Sequence, residues 1–152
     1  MSELSSTISR ALKNEYEVRA AELHKWVEPL SEEQFWRNPF SYGNSVGHLI
    51  LHLTGNLSYY IGRQIAGTGY VRNRDLEFSE IRRQNKQEVL GRFDEAIAMV
   101  VATIEAQNEA DWSTAYAADG EPESEDRFTI VLRCAVHLYH HLGQINLICR
   151  GL

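Results

Sequence analysis

Apolar residues recur at three- and four-residue spacing along four long stretches of the chain, with polar residues filling the positions between them. The first set, Ile8, Leu12, Tyr16, Leu23, Trp26, Val27 and Leu30, predicts a helix from about Ser5 to Val27, closed by Pro29. The second helix is expected to open at Asn44 or Ser45, both good N-cap residues, and to run to about Ala66, where Gly67-Thr68-Gly69 stops it. Leu90, Phe93, Ile97, Val100, Val101 and Ile104 form the stripe of a third, from Asn85 to Ala106. The fourth spans Arg127 to Arg150, with Gly151 as its stop. No segment has the strict alternation of a half-buried strand.

The connections differ in character. Leu30 to Phe40 is rich in aromatics and has room for a short turn of helix. Tyr70 to about Arg82 reads as a long irregular stretch, and a connection of that length in a small domain is usually a crossover or a functional loop. Asn108 to Asp126 is polar and acidic, with Gly120 and Pro122, and reads as a loop with space for a short hairpin. An amphipathic helix must bury its apolar face, and four of similar length do so against one another. The expectation is an all-α four-helix bundle, with residues 1–152 as a single domain.

Charge and composition narrow the partners. The formal net charge is −6, which argues against nucleic acid and against anionic membranes, since both need clustered Lys and Arg. No run approaches the roughly 18 apolar residues of a membrane span. The opening Met-Ser-Glu-Leu-Ser-Ser lacks a basic segment followed by an apolar one, so a reducing, cytoplasmic setting is expected. Cys134 and Cys149 both fall within the fourth helical stretch and read as buried core thiols; there is no CxxC pair.

The informative feature is where the histidines lie. Of six, five fall on two helices: His48 and His52 on the second, and His137, His140 and His141 on the fourth. Residues at i and i+4 are about 40° apart around a helix, with Cβ atoms about 5–6 Å apart, so His137 and His141 can reach one ion. His140 diverges from His141 by about 100° and is unsuited to share it. Neutral imidazole is a good ligand for Zn, Ni, Cu or Fe. Three histidines would leave a coordination position for water or substrate, the pattern of catalytic zinc. No Glu-x-x-His occurs, and neither histidine-bearing helix offers an inward carboxylate, which weighs against a di-iron carboxylate bundle. HxxxH spacing alone is weak, because most helical histidines are satisfied core or rim residues. His24 and His140 are read that way.

A wider pattern supports the metal reading. Asn44-Ser45-Val46-Gly47-His48-Leu49-Ile50-Leu51-His52-Leu53 resembles the second-helix motif of the DinB/YfiT-like family, in which Ser or Thr opens the helix and a ligand histidine follows seven positions later. The fourth-helix motif has its counterpart in His137-Leu-Tyr-His-His141-Leu142-Gly143-Gln144, with Leu142 where the family often has arginine. Arg72, Arg74, Glu77 and Phe78 resemble the crossover loop of one DinB-like subgroup. The resemblance covers nearly the whole chain.

It implies an up-down-down-up four-helix bundle with a long crossover between helices 2 and 3. It also implies one divalent ion, Ni or Zn, on His52, His137 and His141, and often a homodimer. His48, one turn before His52, is an alternative or additional ligand. Gln144 is a candidate to orient a ligand or bound water, or else to form a buried helix–helix hydrogen bond. Gly143 suggests close helix packing. Arg72 and Arg74 are candidates for an anionic substrate at the site mouth, with an ion pair to Glu77 or Asp75 the favoured role. Characterised relatives of the fold are metal-dependent transferases or isomerases that use a low-molecular-weight thiol. The resemblance therefore implies a metal-dependent enzyme, transferase- or hydrolase-like, acting on a small molecule. The alternatives are a non-catalytic, metal-binding or stress-related dimeric bundle, and a helical module without metal.

Overall fold

The computed structural model describes residues 2–79 and 84–152. The helices are α1 (Glu3–Val27), α2 (Glu32–Trp36), α3 (Val46–Leu57), α4 (Arg74–Ser79), α5 (Lys86–Ala106), α6 (Glu109–Trp112) and α7 (Arg127–Gly151), and α3 continues as a π-helical turn over Ser58–Arg63. Polar side chains open them. Ser2, Ser31, Ser45, Asn85, Asn108 and Asp126 each accept a hydrogen bond from a backbone N–H of the first turn they precede.

The four long helices form a ring of neighbours. α1 packs against α5 and α7, and α3 packs against the same two, so α1 and α3 occupy one diagonal. Tyr16, Leu23, Ile50, Leu53, Phe93 and Leu138 fill the centre with no appreciable exposure. The Tyr16 hydroxyl, buried on α1, donates to the Val131 carbonyl of α7 at 2.7 Å, so a polar atom in the core is satisfied across the helix interface. α5 is anchored at its start by Lys86, whose Nζ donates to the Glu28 and Leu30 carbonyls at 2.9 and 2.5 Å. Among the described residues, no helix is long and apolar enough to cross a membrane.

Five expectations need correction. The crossover is partly helical: α4 lies inside it, while its expected end at Arg82 lies outside the described residues. The second helix does not continue in α geometry to Ala66. It switches to π geometry at Ser58, and its regular part ends at Arg63. The extra residue of the π turn leaves the Tyr60 carbonyl open to accept from the Tyr116 hydroxyl at 2.9 Å. The 108–126 connection holds α6 and one isolated bridge, Ala115 to Asp126, in place of a hairpin. Finally, a Cβ at Gly143 would meet nothing within 4 Å, so no close helix packing explains that glycine within the chain. Cys134 is buried as expected, but Cys149 is only half-buried.

Candidate metal centre

Three histidines from two adjacent helices meet at one point. α3 carries His52 on its buried face, one position from Leu53 and one turn from Asn56 and Leu57. α7 carries His137 and His141 beside its buried stripe of Cys134, Leu138, Leu142 and Ile145. The helix–helix contact that buries those stripes therefore also brings the imidazoles together. His52 Nε2 lies 3.1 Å from His137 Nε2, and His141 Nε2 lies 3.0 Å from the same atom. One ring nitrogen from each residue lies within 4.8 Å of the others. Tetrahedral zinc with Zn–N bonds of about 2.0–2.1 Å separates its nitrogens by about 3.3 Å, close to the two short spacings.

The outer nitrogens fix which lone pairs face inward. His52 Nδ1 donates to Glu77 Oε2 at 2.8 Å. Glu77 is 6% exposed, yet it stays ionised. Burial pushes its carboxyl up, but hydrogen bonds from His52 and Arg72 outweigh that and hold it below the usual carboxylate range. Arg72 grips the carboxylate with a two-pronged contact, Nε to Oε1 at 2.7 Å and Nη2 to Oε2 at 2.9 Å. On the other side His141 Nδ1 donates to Gln144 Oε1 at 2.6 Å. With both Nδ1 atoms protonated, Nε2 of His52 and of His141 is a bare lone pair.

That leaves His137 Nε2 close to two acceptors at once. A single proton there can serve one of them and leaves the other contact lone pair against lone pair. Protonating the rings is disfavoured: burial first, then the neighbouring imidazoles, lower His137 to about 3. Burial chiefly, with His52 and His140 adding to it against the Gln144 hydrogen bond, lowers His141 to about 4. Among the described residues the buried His137 Nδ1 has no hydrogen-bond partner. Converging imidazole nitrogens, with protonation disfavoured at His137 and His141, are a donor set that a cation satisfies.

α4 delivers the support. Glu77 reaches His52 because α3 has glycine at position 55: a Cβ there would lie 2.1 Å from Glu77 Oε1. Phe78, the next residue, packs on the His52 ring with centroids 4.8 Å apart. Glu77 was visible in sequence as part of the crossover-loop resemblance and as an ion-pair partner for arginine, not as a partner of His52, and Gly55 not at all. A glycine three residues after a candidate ligand histidine in the same helix was the available signal.

The remaining sequence candidates fall as follows. His48 stands apart from the three: its Nδ1 lies 2.7 Å from the capping Ser45 Oγ and its ring lies edge-on to Trp36, centroids 5.2 Å apart. Gln144 is exposed and holds His141, which excludes the buried helix–helix role. Arg72 forms the ion pair with Glu77, whereas Arg74 lies over the Phe78 ring, 5.7 Å from its centroid. His24 bonds Glu28 and Asp94, and His140 is exposed beside His141.

A model of the DinB superfamily matches residues 15–145, a span that takes in all three histidines and the crossover. The chain belongs to the DinB superfamily. No curated protein and no solved structure matches it. Within the DinB superfamily frame, the histidine cluster of this chain is built from two helices and trimmed by residues of the connection that follows the first of them.

Proposed function

We propose that this DinB superfamily chain works as one domain around a single divalent ion, nickel or zinc, held by His52, His137 and His141, and that it is a metal-dependent enzyme with thiol-transferase-like chemistry. The observation that carries the reading is the meeting of three imidazoles through Nε2 while Glu77 and Gln144 occupy the outer nitrogens of two of them. Three protein ligands would leave a position for a substrate atom, and an ion held there supplies Lewis acidity that lowers the pKa of a thiol or water toward neutrality. The chain's own part is orientation and exclusion of competing protons. Glu77, gripped by Arg72, fixes the His52 tautomer and raises its basicity. Phe78 and the buried stripe of α7 hold the rings in place.

A cytoplasmic location suits the reading, because the free thiols Cys134 and Cys149 are compatible with a reducing compartment. A homodimer is favoured by one face of α7. Leu132, Val136, Tyr139 and Leu147 are each at least 43% exposed and share that face with Gly143. This face also favours a second reading, in which the chain is a non-catalytic, metal-binding dimer.

Elemental analysis of untagged protein tests the site. About one ion per chain is expected for wild type, with clear loss in His52→Ala; equal metal content in the two would remove the site. Assays of thiol consumption against a panel of electrophiles separate the readings. Bound metal with no turnover across the panel would favour the non-catalytic dimer.

A further inference from the structure

A cleft of about 800 Å³ opens on the triad, with His52 and His137 at its inner end. Its walls are the π turn after α3 and the segment leading into α4. Two exposed guanidinium groups line it, Arg63 from the π turn and Arg74 from α4. Among the described residues neither is ion-paired. Arg63 spends one N–H on the Tyr70 carbonyl at 3.1 Å, and Arg74 rests on Phe78, the ring that packs on His52. Arg72 is different, because Glu77 consumes its charge. Of the acids at the rim, Glu121 is taken by Arg133 at 2.7 Å, which leaves Asp119 as the counterweight to two arginines.

Deeper in, Asn56 lines the cleft one turn beyond His52. It is 5% exposed, and among the described residues its Oδ1 has no hydrogen-bond partner. An unpaired buried amide oxygen is costly, and a ligand O–H or N–H would satisfy it. The π turn bears on both features, since its extra residue sets the register in which Tyr59, Tyr60 and Arg63 reach the cleft.

We infer that the substrate of this site is a small organic anion, a carboxylate or a phosphate, that also carries a hydroxyl or amine. Its anionic group lies between Arg63 and Arg74, and its donor reaches Asn56. The inference rests on the proposed metal site only in that the cleft leads to it; the two arginines and the asparagine bind with or without an ion.

The test is calorimetry on the full chain, metal-loaded and metal-stripped, with three matched probes at one ionic strength: glycerate, glycerol 3-phosphate and glycerol. Wild type is expected to bind at least one anion and to bind glycerol about ten-fold more weakly or not at all. The stronger anion identifies carboxylate or phosphate as the group recognised. The double variant Arg63→Gln/Arg74→Gln, whose positions are exposed and whose metal content is expected to be unchanged, should lose that preference. Propyl phosphate, which lacks the hydroxyls, should bind more weakly than glycerol 3-phosphate in wild type and equally in Asn56→Leu.

Failure of all probes to bind wild type, or an anion preference that survives in the double variant, overturns the inference. A hydroxyl advantage that survives in Asn56→Leu overturns the role of Asn56. Anion preference in a protein that holds no metal would keep this inference and sink the metal site. Metal without anion preference would do the reverse.

Discussion

His24 on α1 and His137 on α7 carry the same imidazole at the same helical spacing from a second polar residue, and their surroundings drive them to opposite charge states. His24 is followed four residues later by Glu28, and its other nitrogen faces Asp94 of α5, at 3.0 and 2.6 Å. Burial works against the charged ring there, but the two carboxylates win and raise its pKa. His137 is followed four residues later by His141 and faces His52 on the neighbouring helix α3. Burial and three neighbouring imidazoles all push the same way, and its pKa falls to about 3. An i, i+4 partner that is an acid makes a cationic clamp at the surface. A partner that is a second histidine, with a third opposite, makes a set of lone pairs waiting for a cation.

The sharpest way to break this contrast is to remove one ring from each cluster. His137→Ala is expected to bring bound metal down to about a tenth of wild type or less, because two remaining imidazoles make a poor site. His24→Ala and His48→Ala should leave the metal content unchanged. Equal loss in His48→Ala and His137→Ala, measured by elemental analysis after gel filtration, would mean the histidines of α3 had been assigned wrongly.

The next largest effect comes from the support of His52. Glu77→Gln keeps an acceptor but loses the charge, and Gly55→Ala puts a methyl group where Glu77 Oε1 now sits, 2.1 Å away. Each is expected to weaken metal affinity by about 10–100-fold, as loss of an outer partner of a metal-bound histidine does. The pair is informative because one removes the charge in place and the other displaces the charged group. Both leave the half-buried Arg72 without its carboxylate, and Gly55→Ala offsets only about 1 kcal/mol of that cost through helix propensity. Affinity lost in both, read by competition with a chromophoric chelator, isolates the displaced carboxylate. Wild-type affinity in Gly55→Ala would show that Glu77 does not hold His52.

These two predictions divide along what the sequence made legible. The four long helices follow from the spacing of apolar residues, and the cap of the second follows from Ser45, whereas the caps Asn85 and Asp126 emerged only in the structure. The three histidines came from i, i+4 geometry on the fourth helix and from motif resemblance on the second, and the structure brings those three together. Glu77 was harder to place, because its role depends on α4 folding back over α3. That is a tertiary event, made sterically possible by a glycine whose reason does not appear locally. The π turn was likewise hidden: nothing in the local composition of Ser58–Arg63 marks it, and the Tyr60 groups it presents are met by Tyr116 and Asp119 from the distant 108–126 connection. Arg63 entered the cleft by the same route. His48 was the opposite case, a histidine at good spacing that the helix cap and Trp36 draw to the other end of the turn.

A smaller effect sharpens the comparison within the triad. Gln144 plays for His141 the part that Glu77 plays for His52, but it is exposed and neutral, and water can replace it. Gln144→Ala should therefore weaken metal affinity only about two- to five-fold, below the range expected for Glu77. An effect as large as that of Glu77→Gln would mean that the charge on the outer partner is irrelevant and that tautomer control alone matters.

The smallest effect returns to the two clusters and uses pH. In metal-stripped protein, His137 has a folded-state pKa depressed to about 3 against an ordinary value of 6.5. The unfolded chain therefore takes up a proton between those values that the fold refuses, so this site makes stability fall as pH drops below about 6.5. His24 has a raised folded-state pKa, so its contribution is fully present below the unfolded value and is lost as pH rises through the folded one. His24→Ala should lower Tm at pH 5.5 by about 1–3 °C, the scale of a partly exposed ion pair, and by less at pH 9. His137→Ala should flatten the acid limb instead, with its difference from wild type more favourable at pH 5.5 than at pH 9. Thermal melts at the two pH values decide it: if both variants shift with the same sign between pH 5.5 and pH 9, then carboxylate and imidazole neighbours do not set the charge of these rings.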